Sequence, residues 1–209
     1  MTESSRRPRW PGADLPGRRI FVAAPLPERV SSEIAAVVEQ VRGGGLANGG
    51  RDVRWVRLDG LHLTLRFLGP TIEDRIGAVL AAVRSAGTAA HAFEVTIGGA
   101  GTFPNDARPR ALWLGLRAGV DDLASLASSV DRALVEAGWP PESKPFRAHL
   151  TLARADGVPA GARIAARLVE ASSDLRIACP IDRIGLFESH TGGGPARYEP
   201  IDVVRLGVG

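Results

Sequence analysis

Apolar positions along this chain fall into short alternating runs and longer stretches with a period of three to four residues. Arg19–Ala24 (RIFVAA) is rich in β-branched and aromatic residues and predicts a strand, ended by Pro25. After Pro27, residues Val30, Ile34, Val37, Val38 and Val41 recur three and four apart, which predicts an amphipathic helix to about Arg42. Gly43–Gly50 (GGGLANGG) reads as a flexible loop. Val53–Val56 and a strand over Leu61–Leu68 follow, then a helix over Ile72–Ser85 with Thr71 as its cap and Glu73 and Asp74 in its first turn. Strands are expected at Phe93–Ile97 and Ala111–Leu116, separated by a turn-rich stretch, Gly98–Arg110. A helix over Asp121–Ala137 is closed by Gly138 and then by Pro140 and Pro141. A strand at Arg147–Leu152, a helix at Ala160–Ala171, and strands near Ile181–Glu188 and Tyr198–Leu206 complete the reading, with a loop at Thr191–Arg197. Strands and helices mix without a strict βαβ rhythm, so the expected class is α+β with mixed or antiparallel sheets.

Length and composition narrow the picture. The 209 residues suit one domain, or two small lobes around a shared core, rather than two independent domains. We expect residues 1–17 to be a mobile tail and residues 18–209 to be a single two-lobed domain. Apolar residues make up 44% and charged residues 23%, which argues against a disordered chain, and no apolar run is long enough to span a bilayer. The basic N-terminus lacks the apolar stretch of a signal peptide, so a cytoplasmic, membrane-free protein is expected. A lone Cys179 excludes an internal disulfide and a cysteine-based zinc site. The net charge of +3 is carried almost wholly by arginine, since Lys144 is the one lysine. Arginine offers a planar fork of donors suited to phosphate.

One short pattern carries the chemistry. His62-Leu63-Thr64-Leu65 recurs letter for letter as His149-Leu150-Thr151-Leu152, 87 residues later. On a strand, residues i and i+2 share a face, so each histidine points the same way as its threonine while the leucines face a core. Two such strands suggest duplicated halves, each bringing an imidazole and a hydroxyl to a common cleft. Histidine titrates near neutrality, and a pair on opposite sides of a reacting bond can divide the roles of acid and base. In-line displacement at phosphorus has that geometry. Threonine hydroxyls can donate to the non-bridging oxygens as charge develops there. No metal or cofactor is needed, and no cluster of metal-ligand spacing appears. A nucleophile elbow, a Walker loop and an H-E-x-x-H helix are all absent.

Beyond these four residues the chain resembles the bacterial and archaeal RNA 2′,3′-cyclic phosphodiesterases, historically called 2′-5′ RNA ligases, of the two-histidine phosphoesterase superfamily. The likeness covers roughly residues 19–206. It rests on RIFVAAPLPE, VRWVRLDGLHLTLRFLG, GAGTFPNDARPRALWLGL, KPFRAHLTLAR and GLFESHTGGGPARYEP, in the family's order. The resemblance implies a duplicated, two-lobed fold, with antiparallel sheets backed by helices and a central cleft holding both motifs. It implies His62 as general acid to the departing 3′ oxygen and His149 as the base that activates water. Thr64, Thr151 and Arg154 would then bind phosphate. It also matches Phe67 to an aromatic lying against the nucleobase; on a regular strand Phe67 alternates away from His62, so a twist or bulge would be required, and core packing is the alternative. The implied substrate is RNA or a nucleotide with a 2′,3′-cyclic phosphate end, handled by a monomer without cofactor.

Arg147 and Arg66, two and four residues from a motif histidine, are candidates for contacting substrate if their strands are regular. Tyr198 is read as a packed tyrosine, Trp55, Trp113 and Trp139 as core or edge packing, and His91 and His190 as structural. Three readings stay open. The cleft could hydrolyse a cyclic phosphate or run the reverse 2′-5′ ligation. It could hold an RNA end without turning it over. The repeated strands could also be no more than a symmetric core.

Overall fold

A computed structural model describes residues 17–43, 53–156, 158–190 and 195–207. The tail at 1–16, most of the Gly43–Gly50 loop and the start of the Thr191–Arg197 loop lie outside the described residues. The elements are β1 (Arg18–Pro25), α1 (Glu28–Gly43), β2 (Val53–Trp55), β3 (His62–Thr71), α2 (Glu73–Ala89), β4 (Phe93–Phe103) and β5 (Ala111–Ala118). They continue with α3 (Val120–Glu136), β6 (Leu150–Ala155), α4 (Val158–Ala171), β7 (Ile177–Ile181), β8 (Arg183–His190) and β9 (Arg197–Arg205). A 3₁₀ turn, Leu58–Gly60, precedes β3.

The strands form two antiparallel sheets, one ordered β3-β1-β8-β9 and the other β2-β6-β5-β4-β7. Within them the order β1-α1-β3-α2-β4 repeats as β5-α3-β6-α4-β8, with β7 inserted before β8. β3-β1-β8 thereby matches β6-β5-β4, a pseudo-twofold in which the third strand of each unit comes from the other half of the chain. The first helix of each half also crosses over. α1 packs on α4 and reaches β7, while α3 packs on α2 and β3.

The apolar periodicity accounts for the helices. Val30, Ile34, Val37, Val38 and Val41 of α1 are all buried, and each such side chain contributes roughly 1.5–3 kcal/mol over its exposed state. α3 ends as expected at Gly138, whose φ of +86° suits a residue without a Cβ. There the amide of Trp139 donates to the Leu134 carbonyl.

Four expectations need correction. Thr71 is not a helix cap: it is the buried last residue of β3, and its hydroxyl donates to the Gly69 carbonyl at 3.3 Å. Ile72 stands at the cap position without a side-chain bond, leaving the start of α2 to the acidic pair Glu73 and Asp74. β4 continues through GGAGTF to Phe103, where a turn-rich stretch was expected, because that segment pairs with β5 across a bulge at Gly98 and Gly99. The stretch read as one strand near Ile181–Glu188 is parts of two: β7 pairs with β4, and β8 with β1, in different sheets. Finally, β6 begins at Leu150, so Arg147 and His149 lie just before the strand.

Candidate active site

The two His-x-Thr motifs stand at the same place in the repeat, His62 opening β3 and His149 immediately preceding β6. β3 pairs with β1 and β6 with β5, and each pairing carries a bulge at the leucine that follows the threonine, β3 having a second one at Leu68. Val22 lies opposite Arg66 while Ala23 lies opposite Thr64, so Leu65 is skipped. Leu112 lies opposite Ala153 while Trp113 lies opposite Thr151, so Leu152 is skipped. Each extra residue inverts the alternation beyond it. Phe67 therefore joins the face of His62 and Thr64, and Arg154 joins the face of His149 and Thr151. By the pseudo-twofold, Phe67 and Arg154 occupy equivalent positions, one offering an aromatic ring and the other a guanidinium.

These six side chains line one cleft of about 330 Å³, which also takes in Arg19, Phe21, Ser189 and Tyr198. Phe67 is 47% exposed at its rim, with the Arg19 guanidinium 5.4 Å above its ring. Among the described residues, no hydrogen bond or ion pair occupies the hydroxyls of Thr64 and Thr151 or the guanidinium of Arg154. Nor do these residues gather three or more His, Cys, Asp or Glu side chains as metal ligands.

The imidazoles are held in the same way. Nδ1 of His62 donates to the carbonyl of Gly60 at 2.7 Å, and Nδ1 of His149 donates to the carbonyl of Arg147 at 2.6 Å. A carbonyl can only accept, so both rings carry their proton on Nδ1 and keep Nε2 for the cleft. Aromatic rings fix their tilt. His62 lies 4.8 Å from both Phe21 and Tyr198, the latter edge-on. His149 lies 4.8 Å from Phe103, edge-on, and 6.2 Å from Trp113. Gly101 lets this second wall form, since a Cβ there would meet the Trp113 ring at 2.4 Å.

Burial lowers the pKa of His62 below the ordinary 6.5, against the raising effect of the Gly60 carbonyl, and the charge of His149 lowers it further. Burial also lowers His149, opposed by the Arg147 carbonyl and aided by the charges of Arg154 and Arg147. Arg154 acts across the cleft as well, where its charge opposes the upward shift that burial gives Tyr198.

Other candidates fall elsewhere. Arg66 does not line the cleft. The Leu65 bulge turns it inward, where it is 8% exposed, pairs with Asp131 at 2.9 Å and with Glu142 at 2.5 Å, and donates to the Pro140 carbonyl. Arg147 supplies its carbonyl to His149, while its guanidinium lies 5.2 Å over Phe103, outside the cleft lining. His190 pairs with Glu199 at 3.1 Å. Sequence reasoning missed Arg19 and Phe21, read Tyr198 as packing only, and gave Trp113 no place near the site. The alternation of Arg19, Phe21 and Ala23 against Ile20, Val22 and Ala24 was the available signal for the first two.

The family model described as the 2′-5′ RNA ligase superfamily matches residues 28–193. The chain belongs to the 2′-5′ RNA ligase superfamily. It is an enzyme, as its curated relatives are. One of them, named RNA 2′,3′-cyclic phosphodiesterase, from Methanothermobacter thermautotrophicus, is 28% identical over 190 residues, covering 90% of this chain and 98% of that protein. Another of the same name, from Aeropyrum pernix, is 35% identical over 115 residues, covering 54% of this chain and 62% of that one. Among solved structures, TT0787 of Thermus thermophilus superposes with a TM-score of 0.70 at 25% identity, covering 91% of this chain and 98% of that one. Escherichia coli LigT complexed with NADP+ superposes with a TM-score of 0.64 at 26% identity, covering 92% and 99%. No helix among the described residues is long and apolar enough to cross a membrane.

Proposed function

We propose that this chain, a cytoplasmic monomer whose residues 18–209 act as one two-lobed unit, hydrolyses the 2′,3′-cyclic phosphate at an RNA end to a 2′-phosphate. The observation that carries the reading is the matched pair of imidazoles in one cleft, each locked through Nδ1 to a carbonyl two residues back and each without an Nε2 partner among the described residues. The names of the relatives point to the same substrate class, and E. coli LigT has been solved with phosphate.

In this mechanism, Nε2 of neutral His149 takes a proton from water, whose oxygen attacks phosphorus. Protonated His62 gives its proton to the 3′ oxygen as the P–O3′ bond breaks. Thr64, Thr151 and Arg154 hold the non-bridging oxygens and stabilise their growing charge. No metal takes part. The same groups run 2′-5′ joining when a 5′ hydroxyl replaces water as the nucleophile, His149 taking its proton and His62 protonating the departing 3′ oxygen.

The test is mass-resolved analysis of a short oligonucleotide bearing a 2′,3′-cyclic end, with chelator present. A gain of one water with the phosphate left on the 2′ oxygen is expected, and absent when both histidines are replaced. Tight binding without product on prolonged incubation would leave the cleft a binding module.

Acidity supplies a second check. Both imidazoles are shifted below 6.5 in the free protein. The form with one ring protonated and the other neutral therefore peaks on the acid side of that value. The bell in kcat/KM is expected to centre below pH 6.5, while the bound anion favours imidazolium and moves the kcat bell upward. A kcat/KM maximum at pH 7.5 or above would contradict the assignment.

A further inference from the structure

A second depression opens from the cleft and is nearly three times as large, about 960 Å³. Thr64, Phe67 and His149 line both. From there it runs past Phe103 and Arg147 to Phe146, Lys144 and Arg132, between the end of α3 and the segment leading to β6. Its two acidic side chains are already engaged. Asp131 pairs with Arg66 and accepts from the Glu142 amide at 3.1 Å. Glu142 pairs with Arg66 and accepts from the amides of Ser143 and Lys144. Among the described residues no ion pair engages Arg132, Lys144 or Arg147, all three exposed. The groove therefore presents three cations interleaved with the rings of Phe67, Phe103 and Phe146. Spaced positive charge for a backbone and flat rings for bases is the chemistry that holds single-stranded nucleic acid.

We propose that this groove binds the RNA strand on the 5′ side of the terminal nucleotide, making the protein prefer oligonucleotide ends over free cyclic nucleotides. The inference rests on the proposed reading of the cleft, which it extends. An RNA carrying a terminal cyclic phosphate has one chain leaving its last ribose. The groove offers that chain a path continuous with the cleft, and its charge suits a polyanion better than an acidic-neutral surface would.

The experiment compares adenosine 2′,3′-cyclic monophosphate with a hexanucleotide ending in the same group, for the wild type and for Arg132→Ala/Lys144→Ala. Both replaced side chains are exposed and outside the cleft. The wild type is expected to show the higher kcat/KM on the hexanucleotide. The variant is expected to lose about tenfold there and to stay within twofold on the mononucleotide. The slope of log kcat/KM against log salt for the hexanucleotide should shrink by about 0.7 per cation removed. Equal wild-type efficiency on the two substrates would assign the groove to something other than RNA and overturn the proposal. So would a variant that loses nothing, or loses equally on both. If the wild type turned over neither substrate, the hydrolytic reading of the cleft would fail. The groove would then be judged by fluorescence anisotropy of the labelled hexanucleotide, where an unchanged Kd in the variant would overturn it and a weaker one would support it.

Discussion

Alanine at His62 or at His149 is expected to lower kcat/KM for a 2′,3′-cyclic mononucleotide by about 10²–10⁴-fold, the usual worth of a positioned acid or base. The double variant should fall little below the worse single one, because two groups acting in one proton-transfer scheme are not additive. His62 also packs against Phe21 and Tyr198, so its alanine variant removes packing as well as a proton donor. His62→Gln keeps more of that volume and should be equally inactive. Steady-state kinetics beside thermal melts separate the two effects. A folded variant within tenfold of wild type would remove that imidazole from the chemistry.

The threonines give the second large effect. Thr64→Val and Thr151→Val keep side-chain shape and delete only the hydroxyl. If these hydroxyls meet charge that grows in the transition state, each loss should cost about 10²–10³ in kcat with KM nearly unchanged. The opposite split, a raised KM at constant kcat, would make them ground-state anchors and take them out of transition-state stabilisation. Valine should disturb the strands little, since both positions lie on the solvent-facing side of a leucine-backed strand.

How much of this was readable beforehand differs by residue. The stripe on α1 was legible because a helix buries one face and the spacing reports it. The repeated tetrapeptide was legible because identical strands ask for identical surroundings. Arg66 was misplaced because β3 was assumed regular where it carries a bulge, and Arg147 because β6 begins three residues later than expected. A bulge is decided by how a strand registers with its neighbour, and nothing within HLTLRFLG or HLTLARA marks which leucine will be skipped. Once the pairing with β1 and β5 is known, Phe67 and Arg154 turn to the cleft and Arg66 turns to Asp131 and Glu142. β4 was cut short because its glycines read as turn residues. In the fold, Gly101 is open ground on which Trp113 lies. The division at Asp182 was hidden because both flanking runs are apolar and only their partners differ.

The crossing of α1 and α3 has a consequence for how the molecule can move and be made. Each half lends its first helix and its last strand to the opposite sheet, so neither half can close a hydrophobic interior alone. In a clamshell motion about the cleft each exchanged element would travel with the sheet it packs on, and only the connecting segments would bend. A chain cut between β4 and β5 would yield two fragments whose only route to a core is each other.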